Sequence, residues 1–287
     1  MLADSDAETV YRWMGYGKES FIKKLDTGLS DLTTIQQKES RFSKNPDLST
    51  ALALAEYNAS TGGYKGAIGY YNEVKHLDKS MDYAFEIYRI YADGFYRQEF
   101  SKEEYTDAVD AALASPQVTD GSKLNILIGI SHQVSANRED ERFLSYLEKA
   151  KKMLDESKQK LSPQMTDNFI AIYILYIEKD ESRAVAAKKQ SLPQGWEENP
   201  DDLNEISWWC FENKVNLTEA ALLARKAVNL ATNPKNKSMF LDTLAEIVFL
   251  QGDALQAIAL IKEAQQNDPQ NEYYQKQEQK FSTTGKK

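Results

Sequence analysis

The chain has 287 residues, of which 41% are hydrophobic and 28% are charged, and its formal net charge is −9. This length and composition allow a large buried core and exclude a predominantly disordered protein. The acidic balance argues against nucleic-acid binding, because phosphate contacts require clustered lysine and arginine side chains.

The N-terminal segment, residues 1–30, differs in pattern from the rest of the chain. Residues from Thr9 to Tyr16 alternate in the manner of a β-strand, whereas those from Lys18 to Leu25 have helical spacing. One interpretation of this segment is a hairpin-like cap at the N-terminus. Residues 31–45 are predicted to form a linking helix.

Two kinds of targeting segment are not found in the sequence. No run approaches the roughly twenty apolar residues that a membrane-spanning helix needs. The N-terminus also lacks the basic start and apolar middle of a secretory signal peptide. We therefore expect a soluble protein, cytoplasmic or, if an upstream signal is missing from this chain, periplasmic.

Residues 46–271 contain a recurring segment in which a turn leads into a helix that carries a small residue near its start. The copies at Gly62–Ile68, Val215–Ala221 and Gly252–Ile258 are nearly alike. Such small residues let helices approach closely, and stacked helix pairs bury their apolar faces against their neighbours. The aligned positions lie 35 to 41 residues apart and predict six helix pairs: Ala67, Ala108, Phe143, Ala184, Ala220 and Ala257. Residues 272–287 are predicted to be a C-terminal capping helix and tail.

Polar residues predict where several of these helices begin. An N-cap side chain can pair with a residue three positions later that reaches back to it. The predicted pairs are Ser101 with Glu104, Asn216 with Glu219, and Asp253 with Gln256. Ser162 followed by Pro163 supplies a cap and then a proline at the first helical position.

The first, fifth and sixth units resemble the tetratricopeptide repeat (TPR) family. The residues that carry the resemblance are Leu54, Ala55, Gly62, Tyr64, Ala67, Tyr71 and Val74 in the first unit, Trp208, Phe211, Leu217, Ala220 and Ala227 in the fifth, and Leu244, Ala245, Gly252, Ala257, Ala264 and Pro269 in the sixth. The resemblance implies an all-α, right-handed solenoid of about six helix pairs. The middle units depart from the pattern, since Phe143 occupies a position that is usually alanine and Phe95–Phe100 lengthens one turn. Their registers therefore stay open.

Residues 9–25 resemble the closing strand and final helix of a thioredoxin-like domain. The matching residues are Val10, Arg12, Gly15 and Tyr16, followed by an amphipathic helix that ends in leucine. The resemblance implies that residues 1–30 are the C-terminal remnant of such a domain, whose CxxC motif this chain lacks.

The sequence offers few residues for catalysis or metal binding. Its two histidines, His76 and His132, lie in different units and have no companion at the spacing of a metal site. Cys210, the single cysteine, excludes an internal disulfide and is expected to be a small buried side chain. We therefore expect no enzyme activity, no cofactor and no metal site.

A solenoid exposes its first helices along a concave groove, which is a surface for binding. By the repeat resemblance, the groove-facing residues are Asp202, Glu205, Trp209, Glu212 and Asn213 in the fifth unit and Met239, Asp242, Glu246, Phe249 and Leu250 in the sixth. Carboxylates alternate here with large apolar side chains, which predicts a basic, amphipathic peptide or protein ligand. The alternative is that adjacent helices bury Trp209 and Phe249, and that the acidic residues only keep the surface soluble.

The sequence thus predicts a TPR-like scaffold that binds a protein or peptide. The N-terminal resemblance implies an alternative, the substrate-positioning region of a thiol-disulfide oxidoreductase whose CxxC domain is missing here. The partner's identity and the oligomeric state stay open.

Overall fold

A computed structural model of the chain describes residues 1–13, 18–156 and 162–284. Nearly all of the regular structure among these residues is α-helical, which confirms the predicted all-α class. The chain divides into two compact units, Met1–Lys123 and Leu124–Lys287.

The first unit begins with a small antiparallel sheet and continues with helices. Strand β1 (Leu2–Ala3) pairs with β2 (Thr9–Tyr11). The helices that follow are α1 (Lys18–Ser30), α2 (Ile35–Lys44), α3 (Leu48–Thr61), α4 (Tyr64–Leu77), α5 (Ala84–Tyr96) and α6 (Lys102–Ala114). Helix α3 packs against α4, and α5 packs against α6. Neighbours in the sequence therefore form pairs, as expected of a helical repeat.

The second unit is also built from paired helices. The division between the units falls within α7 (Asp120–Ser131). The helices that follow are α8 (Glu141–Glu156), α9 (Pro163–Tyr173), α10 (Glu181–Gln190), α11 (Pro200–Asn213), α12 (Leu217–Leu230), α13 (Pro234–Leu250), α14 (Ala254–Asn267) and α15 (Glu272–Thr284). Helix α9 runs directly into a π-helical turn, Ile174–Glu178. Packed pairs are formed by α9 with α10, α11 with α12 and α13 with α14, while α15 packs on α14.

The positions predicted to allow close approach of the helices lie in the core. All six of them are buried: Ala67, Ala108, Phe143, Ala184, Ala220 and Ala257. Phe143 shows that one middle unit fills this position with a ring in place of a methyl group.

The longer turn between α5 and α6 brings an aromatic side chain into the core of the first unit. Phe100 is buried, and its ring centroid lies 4.5 Å from that of Tyr91 and 6.2 Å from that of Tyr64. A Cβ atom at Gly94 would lie only 2.5 Å from the Phe100 ring. The glycine is therefore required for this ring to enter.

The predicted helix starts are formed in two ways. Ser101 and Glu104 cap α6 reciprocally, with donor–acceptor distances of 3.2 Å and 2.8 Å. Asn216 differs from the prediction, because its backbone is left-handed (φ 49°) and its side chain makes no capping bond to the backbone of α12. Its amide nitrogen instead donates to the Glu219 carboxylate at 2.6 Å.

The N-terminal hairpin packs on the first helix pair. Val10 and Tyr11 of β2 share a buried cluster with Ala53 of α3, and the Tyr11 hydroxyl donates to Glu56. These contacts attach the hairpin to α3. Two residues of the thioredoxin-like pattern, Gly15 and Tyr16, lie outside the described residues, as do residues 285–287 of the predicted tail.

Candidate functional site

A cavity of about 190 Å³ opens in the second unit, beside α11. It is lined by His132, Ser135, Asn168, Ile172, Lys188, Glu205, Trp208, Trp209, Glu212 and Asn213. Four of these residues, Glu205, Trp209, Glu212 and Asn213, belong to the predicted groove of the fifth unit. They are spaced i, i+4, i+7 and i+8 along α11, which places them on one helical face.

The local sequence sets the residue at which α11 begins. The Asn199 side chain accepts a hydrogen bond from the backbone nitrogen of Asp201 at 2.9 Å, and Pro200 occupies the first helical position. Both features favour a helix that begins at this point.

The floor of the cavity contains a buried cation. The ammonium group of Lys188, on α10, donates to Asn168 Oδ1 and to Glu205 Oε1, both at 2.6 Å. The Lys188 side chain is 4% exposed, whereas that of Glu205 is 43% exposed. Glu205 therefore neutralises a buried charge while it keeps contact with water.

Asn213, deeper in the cavity, is held by two hydrogen bonds. Its Oδ1 accepts from the Tyr176 hydroxyl at 2.7 Å, and its Nδ2 donates to the backbone oxygen of Trp209 at 2.7 Å. Burial raises the pKa of Tyr176 to about 12, so the phenol remains a donor at neutral pH. Because an amide nitrogen carries two protons, the second N–H of Asn213 has no acceptor among the described residues.

Glu212 differs from Glu205 in forming no ion pair among the described residues, although the charge of Arg138 acts with that of Glu212 on the nearby Tyr176 phenol. Glu212 is exposed at the rim of the cavity, and within the described part of the chain its carboxylate forms no hydrogen bond or ion pair. Trp208 lies half-buried in the same wall, with its ring 4.9 Å from that of Phe211. The rim thus combines a free carboxylate with an aromatic face.

Asp202, the remaining predicted residue of the fifth unit, lies on α11 but does not line this cavity. Burial, and then the neighbouring carboxylates Glu205 and Asp201, raise the pKa of Asp202. Its charge adds to the negative potential at the N-terminal end of α11.

The predicted residues of the sixth unit have different surroundings. Met239 and Leu250 are exposed, whereas Asp242 and Glu246 are buried. Helix α15 covers these two acids, and its Phe281 packs on Phe249 with ring centroids 4.7 Å apart. A ligand would therefore reach them only if α15 moved.

Several residues that shape the cavity could not be identified from helical spacing. Lys188 and Tyr176 act through partners 17 and 37 positions away, a distance at which helical spacing carries no information. His132, for which no role was predicted, is exposed at the cavity.

Chemistry of other kinds finds little support in the described residues. Burial raises the pKa of the Cys210 thiol to about 12, so this cysteine stays protonated and is a poor nucleophile. Within residues 1–13, 18–156 and 162–284, no group of three or more His, Cys, Asp and Glu side chains could hold a metal ion. In the same ranges, none of the helices is both long and apolar enough to cross a bilayer.

Comparisons with known proteins do not identify a relative. No protein-family model matches the chain, and a search of curated proteins found no significant match.

Proposed function

We propose that this chain is a TPR-like scaffold that binds a protein segment or peptide through the cavity beside α11. The observation that carries the proposal is that four residues predicted to face a ligand, Glu205, Trp209, Glu212 and Asn213, line one cavity. Peptide recognition commonly uses aromatic anchors with a polar rim.

The size of the cavity favours a single anchoring side chain over a whole small molecule. Sites for small molecules and cofactors usually measure about 300 to 1,000 Å³, whereas this cavity measures about 190 Å³. We therefore propose that one side chain of the ligand enters the cavity, while the rest of the segment lies along α11. The unused N–H of Asn213 is placed to donate to a carbonyl oxygen of that ligand.

The charges around the cavity favour a basic, amphipathic ligand. Lys188 and Glu205 neutralise each other, and the two remaining carboxylates, Glu212 and Asp202, outnumber the one further cation that acts on Tyr176, Arg138. A lysine or arginine side chain could pair with Glu212 and lie over the Trp208 ring, a cation–π contact that contributes about 0.5 to 2 kcal/mol. Exposed charges of this kind act mainly on association rate and salt dependence.

Fluorescence anisotropy with labelled peptides tests the proposal. The probes are three 15-residue peptides that share one apolar pattern and carry lysine, glutamine or glutamate at the polar positions. We expect the lysine peptide to bind best and Glu212→Gln to weaken that binding about fivefold, with a shallower salt dependence. Glu148→Gln, which removes an exposed carboxylate from α8, is the matched control and should leave binding unchanged.

Two results would reject the proposal. The first is that none of the peptides binds. The second is that Glu212→Gln and Trp208→Ala both retain the full affinity and salt dependence of the unsubstituted chain.

We also propose, as a second possibility, that residues 1–30 are the end of a thioredoxin-like domain and that the repeats position its substrate. Strand β2 followed by helix α1 is the order expected for the closing strand and final helix. The test is whether the encoding reading frame continues upstream into a domain with a CxxC motif. A frame that has no such domain upstream would leave the cap interpretation.

A further inference from the structure

We propose that the acidic face of α13 is a second binding surface, that α15 is its resident and displaceable occupant, and that its external partner is a basic amphipathic helix with the pattern of α15. The acidic face is defined by Asp242, Glu246 and Phe249. This surface is separate from the cavity beside α11, and the inference does not depend on peptide binding there.

Helix α15 contacts the acidic face through a polar centre. Gln277 Nε2 donates to Asp242 Oδ1 at 3.2 Å and to Glu246 Oε1 at 2.7 Å. The Tyr273 hydroxyl donates to Asp242 Oδ2 at 3.2 Å, and the Lys280 ammonium forms an ion pair with Glu246. Each carboxylate of α13 is thus satisfied by side chains of α15.

An apolar contact lies at one end of this polar centre. Phe281 of α15 is fully buried, and its ring packs on Phe249. The contacting residues Tyr273, Gln277, Lys280 and Phe281 are spaced i, i+4, i+7 and i+8, so they form one stripe along α15. The stripe defines the partner as a helix that presents an aromatic residue, an amide, a cation and a second aromatic residue at these intervals.

The charges on the two sides of the contact do not balance. Asp242 and Glu246 are two buried acids, whereas Lys280 is the one cation that α15 places against them among the described residues. A helix with one more positive charge in this stripe would complement the acidic face better than α15 does. Charge complementarity therefore favours a basic partner over a neutral or acidic one.

The attachment of α15 is polar enough to be reversible. Of its described side chains, Tyr274 and Phe281 are the buried hydrophobic ones. Its polar contacts with α14 are made by Gln265, whose Nε2 donates to the backbone oxygen of Tyr274 at 3.2 Å and to Glu278 at 2.9 Å, and by Lys262, 3.4 Å from Glu278. Because this apolar contact is small, displacing α15 costs less hydrophobic free energy than removing a fully packed core helix.

A competition experiment on the full chain tests this inference. The probes are two fluorescein-labelled synthetic peptides, one with the sequence of residues 270–284 and one in which Gln277→Lys adds a positive charge to the stripe. Anisotropy reports their binding, and the second peptide should bind more tightly. Phe281→Ala should weaken the docking of α15 without changing the acidic face. We expect this variant to bind the first peptide at least tenfold more tightly than the unsubstituted chain.

The controls separate this surface from the cavity. A peptide with glutamate at the positions of Lys276 and Lys280 should not bind. Adding Glu246→Gln to Phe281→Ala should abolish the gain in binding, whereas a peptide held at the cavity would keep it. If circular dichroism shows that Phe281→Ala is unfolded, Lys280→Ala replaces it, because that change keeps the aromatic contact. Equal affinity of the first peptide for the unsubstituted chain and for the folded variant would overturn the inference. So would a dimer of the variant in light scattering, because α15 would then exchange between two copies of the chain and would not be displaced by an external helix.

Discussion

The hydroxyl of Tyr176 donates a 2.7 Å hydrogen bond to Oδ1 of Asn213, and this bond joins the π-helical turn after α9 to the end of α11. Both side chains are buried. Because the bond fixes the amide of Asn213, it also fixes the direction of its second N–H. Single π-helical turns are often found at functional sites, and this one has a definite structural effect.

Replacing Tyr176 by phenylalanine should therefore weaken both the fold and the proposed binding. Tyr176→Phe leaves the buried Oδ1 of Asn213 without its donor, which we expect to lower the free energy of unfolding by about 1 to 3 kcal/mol. Peptide affinity should fall as well, because the Asn213 amide is no longer held. Urea denaturation and anisotropy measure the two effects.

The matched control for this change is Tyr173→Phe. Tyr173 lies on the preceding turn of α9, and its hydroxyl makes no hydrogen bond within the described part of the chain. We expect this variant to keep its stability and affinity. Equal effects of the two substitutions would contradict the role given to Tyr176.

The ion pair between Lys188 and Glu205 should respond unequally to removal of its two partners. Glu205→Ala leaves a buried ammonium with Asn168 as its remaining partner, and we expect a loss of about 2 to 3 kcal/mol. Lys188→Met leaves a carboxylate that is already hydrated. The Ser191 hydroxyl lies 3.2 Å from Asn168 Oδ1 and can turn to it from its 2.7 Å bond to the backbone oxygen of residue 188. This second change should alter the free energy of unfolding by less than about 1 kcal/mol.

The same pair of variants predicts opposite effects on binding. Lys188→Met frees the charge of Glu205 and should strengthen binding of the lysine peptide, whereas Glu205→Ala should weaken it. Chemical denaturation compares the stability of the two variants, and anisotropy compares their affinity for the lysine peptide. If Lys188→Met lowers the free energy of unfolding more than Glu205→Ala does, the prediction is wrong. The packing of the lysine side chain would then contribute more to stability than its pairing with Glu205.

Replacing Lys38, in the first unit, should also lower the free energy of unfolding. Its ammonium group donates to the backbone oxygens of Val10, Asp31 and Thr33, and the residue is 2% exposed. Lys38→Met removes the donor from three carbonyl groups and detaches β2 from α2. We expect a loss of about 2 to 4 kcal/mol, from the cost of leaving buried polar groups unpaired.

An exposed lysine on the same helix supplies the comparison for Lys38. Lys44→Met removes an equal charge from α2 at a position open to solvent, so its effect should stay within about 0.5 kcal/mol. Hydrogen exchange at Thr9–Tyr11 localises the change, since Lys38→Met should increase exchange there. Unaltered exchange in these residues would mean that Lys38 does not hold the hairpin.

The fold class could be predicted because it depends on local and periodic signals. Small residues that recur every 35 to 41 positions mark buried contacts between helices, and the burial of Ala67, Ala220 and Ala257 agrees with that pattern. Ser101 and Glu104 predicted a helix start correctly because a capping box involves residues three positions apart. Asn216 misled the same reasoning, since a left-handed backbone is compatible with asparagine and directs its side chain elsewhere.

The candidate site could be predicted only in part, because helical register tells which face a residue occupies and not what covers that face. It placed Glu205 and Glu212 correctly on one side of α11. It could not show that Lys188 would neutralise one of them, or that α15 would bury Asp242. Both events depend on contacts between segments that are distant in the sequence.

The buried position of Asp242 leads to a final prediction, in which acid strengthens the packing of α15. Burial, and then the nearby Glu246 carboxylate, raise the pKa of Asp242 from its usual 3.8 to about 6. The other titratable groups that face it are Tyr273, Tyr274 and Lys280, all on α15. Because the folded state holds this proton more tightly than the unfolded chain, ionisation of Asp242 costs stability as the pH rises from about 4 to about 6, and the full cost persists above that range. A difference of about two pKa units corresponds to about 2 to 3 kcal/mol.

Asp242→Asn should remove this cost, so its stability relative to the unsubstituted chain should increase between pH 4.5 and pH 7.5 when measured by urea denaturation at each pH. Asp155→Asn, which removes an exposed carboxylate from α8, should show no such increase. A stability difference for Asp242→Asn that does not change with pH would mean that Asp242 is ionised at both ends of this range and that Lys280 and Gln277 suffice to hold its charge.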